Sequence, residues 1–288
     1  MAENRDPPLK WRKANQEELF GAEQLLKARE SYCVAACARF LRLKENRDHL
    51  WALGKTPGGG RLAGIVIQNK RSLFPVFDHA GQIPTPPFMR SLLRQIPIRA
   101  IQGLKKDAAL LESVMAGLGI LPVQDIDYDL MALDREPSPE SFNAGPPELL
   151  LRRPGLSDME GLYRLQAAYE QEEVLPRGAV FNPRACLLSL ENILAREYIL
   201  TAELKGRLVG KINTSASSFS RYQIGGVYVA PDCRGLGIAC RMGAVFTREL
   251  IRAGKGLSLF VKKRNSPAQA VYRRIGFEFL EDYRICYY

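Results

Sequence analysis

The chain has 288 residues, 46% of them hydrophobic, which suffices for one large domain or two ordinary ones and excludes a disordered chain. Its formal charge of +10 is spread unevenly, with 20 Lys/Arg against 17 Asp/Glu up to Gly145 and 21 against 14 after it. Six scattered cysteines with only two histidines exclude a zinc set and any other evident metal site, and no run of about 18 apolar residues offers a bilayer span, so a cytoplasmic protein without a membrane partner is expected.

Residues 16–43 carry apolar side chains at three- and four-residue intervals, the mark of one or two amphipathic helices. The period then shortens. Residues 50–54 and 62–67 read as strands around Pro57-Gly58-Gly59-Gly60, a hairpin turn rather than a phosphate loop because a strand follows it. A strand over 72–77, a Pro-rich turn at Pro84, Pro86 and Pro87, and a short helix over 88–96 come next. An apolar segment at 96–101, a helix over 104–116 and a strand over 123–133 close the first half, giving a domain over 1–134.

Residues 135–147, with Glu136-Pro137-Ser138-Pro139 and Gly145-Pro146-Pro147, have the composition of a linker. The second domain, 148–288, repeats the layout. It opens with a strand over 148–152 and a helix to about residue 172, with Ser157 and Asp158 as the N-cap signal. A helix over 182–196 and strands over 198–203, 208–214 and 221–229 follow, the second and third of these separated from the first by the Lys205-Gly206 turn. Then come a helix over 240–253, a strand over 257–261, a helix over 267–275 stopped by Gly276-Phe277, and a closing strand pair. The pattern predicts an α/β (α+β) fold of two domains, each a sheet flanked by helices.

One stretch has a chemical signature. Val227, Tyr228 and Val229 end a strand, Pro231 marks a turn, and Arg234, Gly235, Leu236, Gly237, Ile238 and Ala239 lead into a helix. A helix start leaves amides unpartnered and carries the positive end of the helix dipole, so it attracts anions. Glycines at 235 and 237 let an anion approach those amides and permit positive φ. Taken alone, the loop is equally a phosphate cradle or an ordinary strand-to-helix turn. The cations Arg234, Arg241, Lys255, Lys262, Lys263, Arg264, Arg273 and Arg274 gather in the same half and suit a polyphosphate ligand or, less well, a nucleic-acid surface.

With the downstream run Asn265-Ser266-Pro267-Ala268-Gln269-Ala270-Val271-Tyr272 and Gly276-Phe277, the pattern Val-x-Val-x-Pro-x-x-Arg-Gly-x-Gly-x-Ala resembles the GNAT superfamily of acyl-CoA-dependent N-acyltransferases over residues 148–288. The resemblance implies two tandem GNAT-like domains with mixed, mostly antiparallel sheets, the first of them degenerate. It implies acetyl-CoA as co-substrate, its pyrophosphate held by the amides of residues 234–239, and its pantetheine paired to the backbone of Val227 and Val229 where the strand splays from its neighbour. Asn265, with Ala268 on the same helix start, would meet the pantetheine arm, and Tyr272 would act as general acid toward the leaving thiolate. The two-half arrangement is similar to that of glycine N-acyltransferase-like proteins.

Many family members place a glutamate on the strand before the cradle as the base. Here Gln223 stands there, and Gln cannot serve. Glu170, Glu172 and Glu173 lie between the first two helices of the domain; Glu172 and Glu173 are the candidates for receiving the amine or its proton, against the alternative of a solvated helix end. In the first half, Gln102-Gly103-Leu104-Lys105-Lys106 is the expected counterpart of the cradle and lacks its motif, which points to a structural or acceptor-shaping domain. The expected function is transfer of an acetyl group to a primary amine, with a non-catalytic acyl-CoA-binding module and a nucleic-acid binder as alternatives. A homodimer stays open as the assembly.

Overall fold

The computed structural model describes residues 11–46, 48–55, 62–78, 85–95 and 97–288. The expected glycine turn at 57–60 and Pro84 of the Pro-rich turn lie outside the described residues.

In chain order the first elements are β1 (Trp11–Lys13), α1 (Gln16–Ala28), α2 (Val34–Leu41), α3 (Leu43–Asn46), β2 (His49–Lys55), β3 (Leu62–Asn69) and β4 (Ser72–Phe77). They are followed by α4 (Pro86–Gln95), β5 (Ala100–Leu104), α5 (Lys105–Gly117) and β6 (Gln124–Leu133). Then come β7 (Leu150–Arg152), α6 (Met159–Tyr169), α7 (Pro183–Arg196), β8 (Ile199–Leu204), β9 (Arg207–Ser217) and β10 (Arg221–Val229). The chain ends with α8 (Ile238–Arg252), β11 (Gly256–Lys262), α9 (Ser266–Ile275) and β12 (Glu278–Tyr287). β12 is one ten-residue strand where a strand pair was expected.

Two compact units share these elements: Met1–Tyr128 with Glu281–Tyr288, and Asp129–Leu280. Thus the last part of β6 belongs to the second unit, and the C-terminal residues return to the first. In the first unit β1 to β4 form an antiparallel meander, β5 pairs parallel with β4, and β12 pairs antiparallel with β5. Its core gathers Val66, Leu73, Phe77, Met89, Ile101, Leu111 and Met115. In the second unit β7, β8, β9 and β10 pair antiparallel in succession, and β11 joins β10 in parallel. Leu200, Ile212, Ile224, Met242, Phe246, Leu257 and Phe277 form its core. Both sheets are therefore mixed and mostly antiparallel.

Local signals account for several boundaries. Asn15 and Glu18 cap α1 reciprocally, at 2.9 Å from Glu18 N–H to Asn15 Oδ1 and 3.0 Å from Asn15 N–H to Glu18 Oε2. Asn182 caps α7 by accepting from Ala185 N–H. Gly276, at φ +118°, stops α9. Asp158 departs from expectation: its carboxylate takes Arg152 and the Gly155 amide, and no side-chain cap bond starts α6. That helix ends at Tyr169 and widens into a π turn over Glu170–Val174.

Residues 135–147 are not a free linker. Pro139–Asn143 forms a short helical turn, Ser141 is fully buried, and Arg241 of α8 donates to Pro146 O at 3.1 Å. Proline and glycine signal irregular backbone, and irregular backbone packs well when its polar groups find partners.

The order β4, α4, β5, α5, β6 recurs as β10, α8, β11, α9, β12. Each pair of parallel strands starts together and separates: β4 pairs β5 only at Ser72 and Leu73, and β10 pairs β11 only over Arg221, Tyr222 and Gln223. The alignment corrects the placement of the first-half cradle. By that order Gln102 to Lys106 correspond to the passage from β11 to α9 rather than to the cradle before α8.

Candidate active site

The second unit's site starts with the departure of β10 from β11. After Gln223 the two strands no longer pair, and the register against β9 shifts at Gln223/Ile224 and again at Gly225/Tyr228. Glycine permits this bulge. Gly226 sits at φ +58°, and a Cβ there would lie 2.0 Å from Asn213 Oδ1. Both its backbone groups are taken by side chains: its N–H donates to the Tyr169 hydroxyl at 3.3 Å, and its carbonyl accepts from Lys211 Nζ at 2.9 Å. Val227 and Val229 therefore stand on an edge of β10 that β11 does not cover.

At the end of that edge the cradle takes shape. Gly235 and Gly237 adopt φ +78° and +79°, conformations that cost other residues about 1–2 kcal/mol. Gly237 is the N-cap of α8, and the buried Ile238 anchors the helix start while Arg234, Gly235 and Leu236 remain exposed. Gly237 packs on the 135–147 segment, where a Cβ would meet Gly145 N at 2.7 Å. The close-packed segment is a buttress for the cradle.

Arg234 is already occupied. Its Nη2 donates to Glu172 Oε2 at 2.7 Å, its Nε to Val229 O at 3.1 Å, and its guanidinium lies 5.2 Å from the Tyr228 ring. The Tyr228 hydroxyl donates to the other oxygen of Glu172 at 2.5 Å. Burial raises the Glu172 carboxyl, but these two donors outweigh it and hold the pKa below the usual carboxylate range. The neighbouring Glu173 takes Lys262 Nζ at 2.8 Å and Asn265 Nδ2 at 3.5 Å.

Asn265 caps α9, its Oδ1 accepting from Ala268 N–H at 3.2 Å, which leaves the amide nitrogen for other partners. Tyr272 packs edge-on to Phe277 at 5.9 Å. Burial first, then Tyr169 and Glu173, push its phenol well above the ordinary value. The structure thus ties Glu172 to Tyr228 and Arg234, and Glu173 to Lys262 and Asn265, so that both glutamates are ion-pair partners of nearby cations. Gln223 is buried, and its Nε2 donates to Ser215 Oγ at 3.1 Å, a structural engagement.

Sequence reasoning missed Lys211 and Tyr169. Lys211 is fully buried on β9, donating to Gly226 O and to Asn213 Oδ1 at 3.0 Å, with the Tyr169 ring 4.9 Å from its Nζ. Burial pushes its pKa down to about 7, against the opposing pull of Glu170 and Cys186. The signal was a lysine between the apolar residues Val209 and Ile212 in the run Val209-Gly210-Lys211-Ile212-Asn213.

The first unit handles the same divergence differently. Phe77, beyond the last parallel pair of β4, donates its N–H to Asp107 Oδ2 at 3.4 Å and accepts from Arg29 Nη1 at 2.7 Å. Arg29 and Asp107 approach to 3.9 Å, and burial pushes the Asp107 carboxyl up to about 6. The chain's own side chains satisfy the strand edge there.

Among the described residues no helix is long and apolar enough to cross a membrane. The family model described as FR47-like protein matches residues 200–285, which includes the bulge, cradle, Asn265 and Tyr272. No curated protein matches the chain in sequence. Among solved structures, a Drosophila protein from a structural genomics consortium superposes with a TM-score of 0.66 at 15% identity, over 96% of this chain and 98% of that one. A tandem GNAT protein from the clavulanic acid biosynthesis pathway gives 0.60 at 14%, over 96% and 97%. A GCN5-related N-acetyltransferase from Sphaerobacter thermophilus gives 0.60 at 18%, over 96% and 94%. The FR47-like match spans the cradle, and the fold held in common along nearly the whole chain is that of these tandem GNAT and GCN5-related N-acetyltransferase structures.

Proposed function

We propose that the second unit transfers an acetyl group from acetyl-CoA to a primary amine by direct attack in a ternary complex. The observation that carries this reading is the uncovered edge of β10 leading straight into a glycine cradle at the start of α8. An extended pantetheine can add to such an edge as a strand would, and the cradle's amides and Arg234 suit a diphosphate. The six cysteines are all free, which fits a cytoplasmic setting.

In the reaction the neutral amine nitrogen forms a bond to the thioester carbonyl carbon, the C–S bond breaks, the thiolate leaves, and the proton shed by the nitrogen passes to solvent water. Tyr272 supplies a hydrogen bond to the developing thiolate. Its raised pKa makes full proton transfer to a thiolate of ordinary basicity uphill, so stabilisation by donation is its main contribution. Tyr272→Phe should lower turnover about 10- to 100-fold, the range for a hydrogen bond to a charged group, with acetyl-CoA affinity unchanged. Full activity of that variant would remove the role.

Neither Gln223 nor the ion-paired Glu172 is suited to be a base near neutral pH, so juxtaposition of a neutral amine with the thioester carries much of the rate. The first unit takes no CoA in this reading, because Arg29 and Asp107 already satisfy Phe77. Calorimetry with acetyl-CoA, followed by a thiol-release screen across amines, tests the proposal. No binding overturns it, and binding without thiol release for any amine favours a non-catalytic acyl-CoA module.

A further inference from the structure

The acidic turn Glu170–Val174 reaches both lips of the cleft between β10 and β11. On the β10 side Glu172 holds Tyr228 and Arg234; on the β11 side Glu173 holds Lys262 and Asn265. Two successive carboxylates therefore span the gap that the separating strands leave open. Arg234 and Asn265 are the very groups assigned above to the donor's diphosphate and pantetheine.

We propose that this turn is an ionic strap, an internal anion that occupies the donor cleft and is displaced from Arg234 when acyl-CoA binds. The inference rests on the acyl-CoA reading of the site. A diphosphate offers Arg234 more charge and more acceptor oxygens than one carboxylate, so exchange is favourable although the contact is lost. Once released, Glu172 presents an uncompensated negative charge beside the cleft. A protonated amine acceptor would be drawn there only after the donor is seated, which makes donor-first addition a property of this turn.

The strap sets its own signature. In the wild type one anion replaces another on Arg234, so binding forms no net additional ion pair there and its salt dependence is shallow at that contact. In Glu172→Gln the guanidinium keeps its bond to Val229 O but has no ion-pair partner in Glu172, and the same binding event creates a new pair. Glu172→Gln should therefore bind acetyl-CoA about 3- to 10-fold more tightly at low ionic strength, with a steeper loss of affinity as salt rises. Glu172→Gln with Glu173→Gln should tighten binding further.

The decisive measurement is a double-mutant cycle by calorimetry on the full chain, with Glu172→Gln and Arg234→Gln singly and together. A gain from Glu172→Gln that disappears in the Arg234→Gln background supports the strap. A gain that persists without Arg234, or an affinity and salt slope unchanged from wild type, overturns it. Failure of the wild type and every variant to bind acetyl-CoA overturns the donor reading itself. Binding by the wild type without tightening in Glu172→Gln overturns the strap alone.

Discussion

Gly237→Ala is expected to weaken acetyl-CoA binding by more than about 100-fold, whereas Gly235→Ala weakens it by no more than about 10-fold. The two glycines share a backbone conformation, φ +79° and +78°, so alanine carries the same left-handed penalty of about 1–2 kcal/mol at either place. Their surroundings differ. A Cβ on Gly235 meets nothing within 4 Å, while one on Gly237 comes within 2.7 Å of Gly145 N and 3.3 Å of Ala144 Cβ. The first of those neighbours is backbone and cannot rotate away, so the start of α8 must shift, adding an overpacking cost of about 1–3 kcal/mol. The displaced atoms are the amides that the proposed donor site offers to a diphosphate. Calorimetry on both variants, with thermal unfolding alongside, checks the contrast. Equal losses would mean that the 135–147 segment does not support the cradle.

The features legible in the sequence are those fixed by short-range physics. Positive φ at Gly235 and Gly237 and the Gly276 stop each depend on a few consecutive residues, and all three stand where the sequence places them. The occupants of the site were not legible. Glu172 and Arg234 are 62 positions apart, and their pairing depends on where a π turn at the end of α6 falls against the end of β10. Composition misled at 135–147, where Pro and Gly mark a packed irregular segment rather than a free one. Counting elements misled at residues 102–106: the parallel registers of β4 with β5 and of β10 with β11 identify the repeat, and a single sequence does not show register. Lys211 stood in plain view, but its position on the inward face of β9 is set by pairing with β8 and β10.

Lys211→Met should abolish a pH dependence of stability that the wild type shows on the alkaline side of neutrality. Lys211 is fully buried, its folded pKa is pushed down to about 7 chiefly by burial, and the unfolded value lies near 10.5. Below about pH 7 the lysine is protonated in both states, so its burial cost is at its largest and does not vary. Between about 7 and 10.5 the unfolded chain binds one more proton than the folded chain, and stability rises with pH by up to about 1.4 kcal/mol per unit. Above 10.5 both states are neutral and the cost is gone. Methionine fills similar space without the charge but leaves Gly226 O and Asn213 Oδ1 without their donor, a loss of about 1–3 kcal/mol per buried group. The variant is therefore less stable than wild type at pH 9, and the gap narrows toward pH 7. Urea unfolding of both proteins across pH 7.5 to 9 isolates the term, because Glu170, Cys186 and Tyr169 beside the lysine are common to both. A difference that stays flat over that range would mean that the Glu170 carboxylate keeps Lys211 charged, and the clasp on Gly226 would then be an ammonium at every working pH.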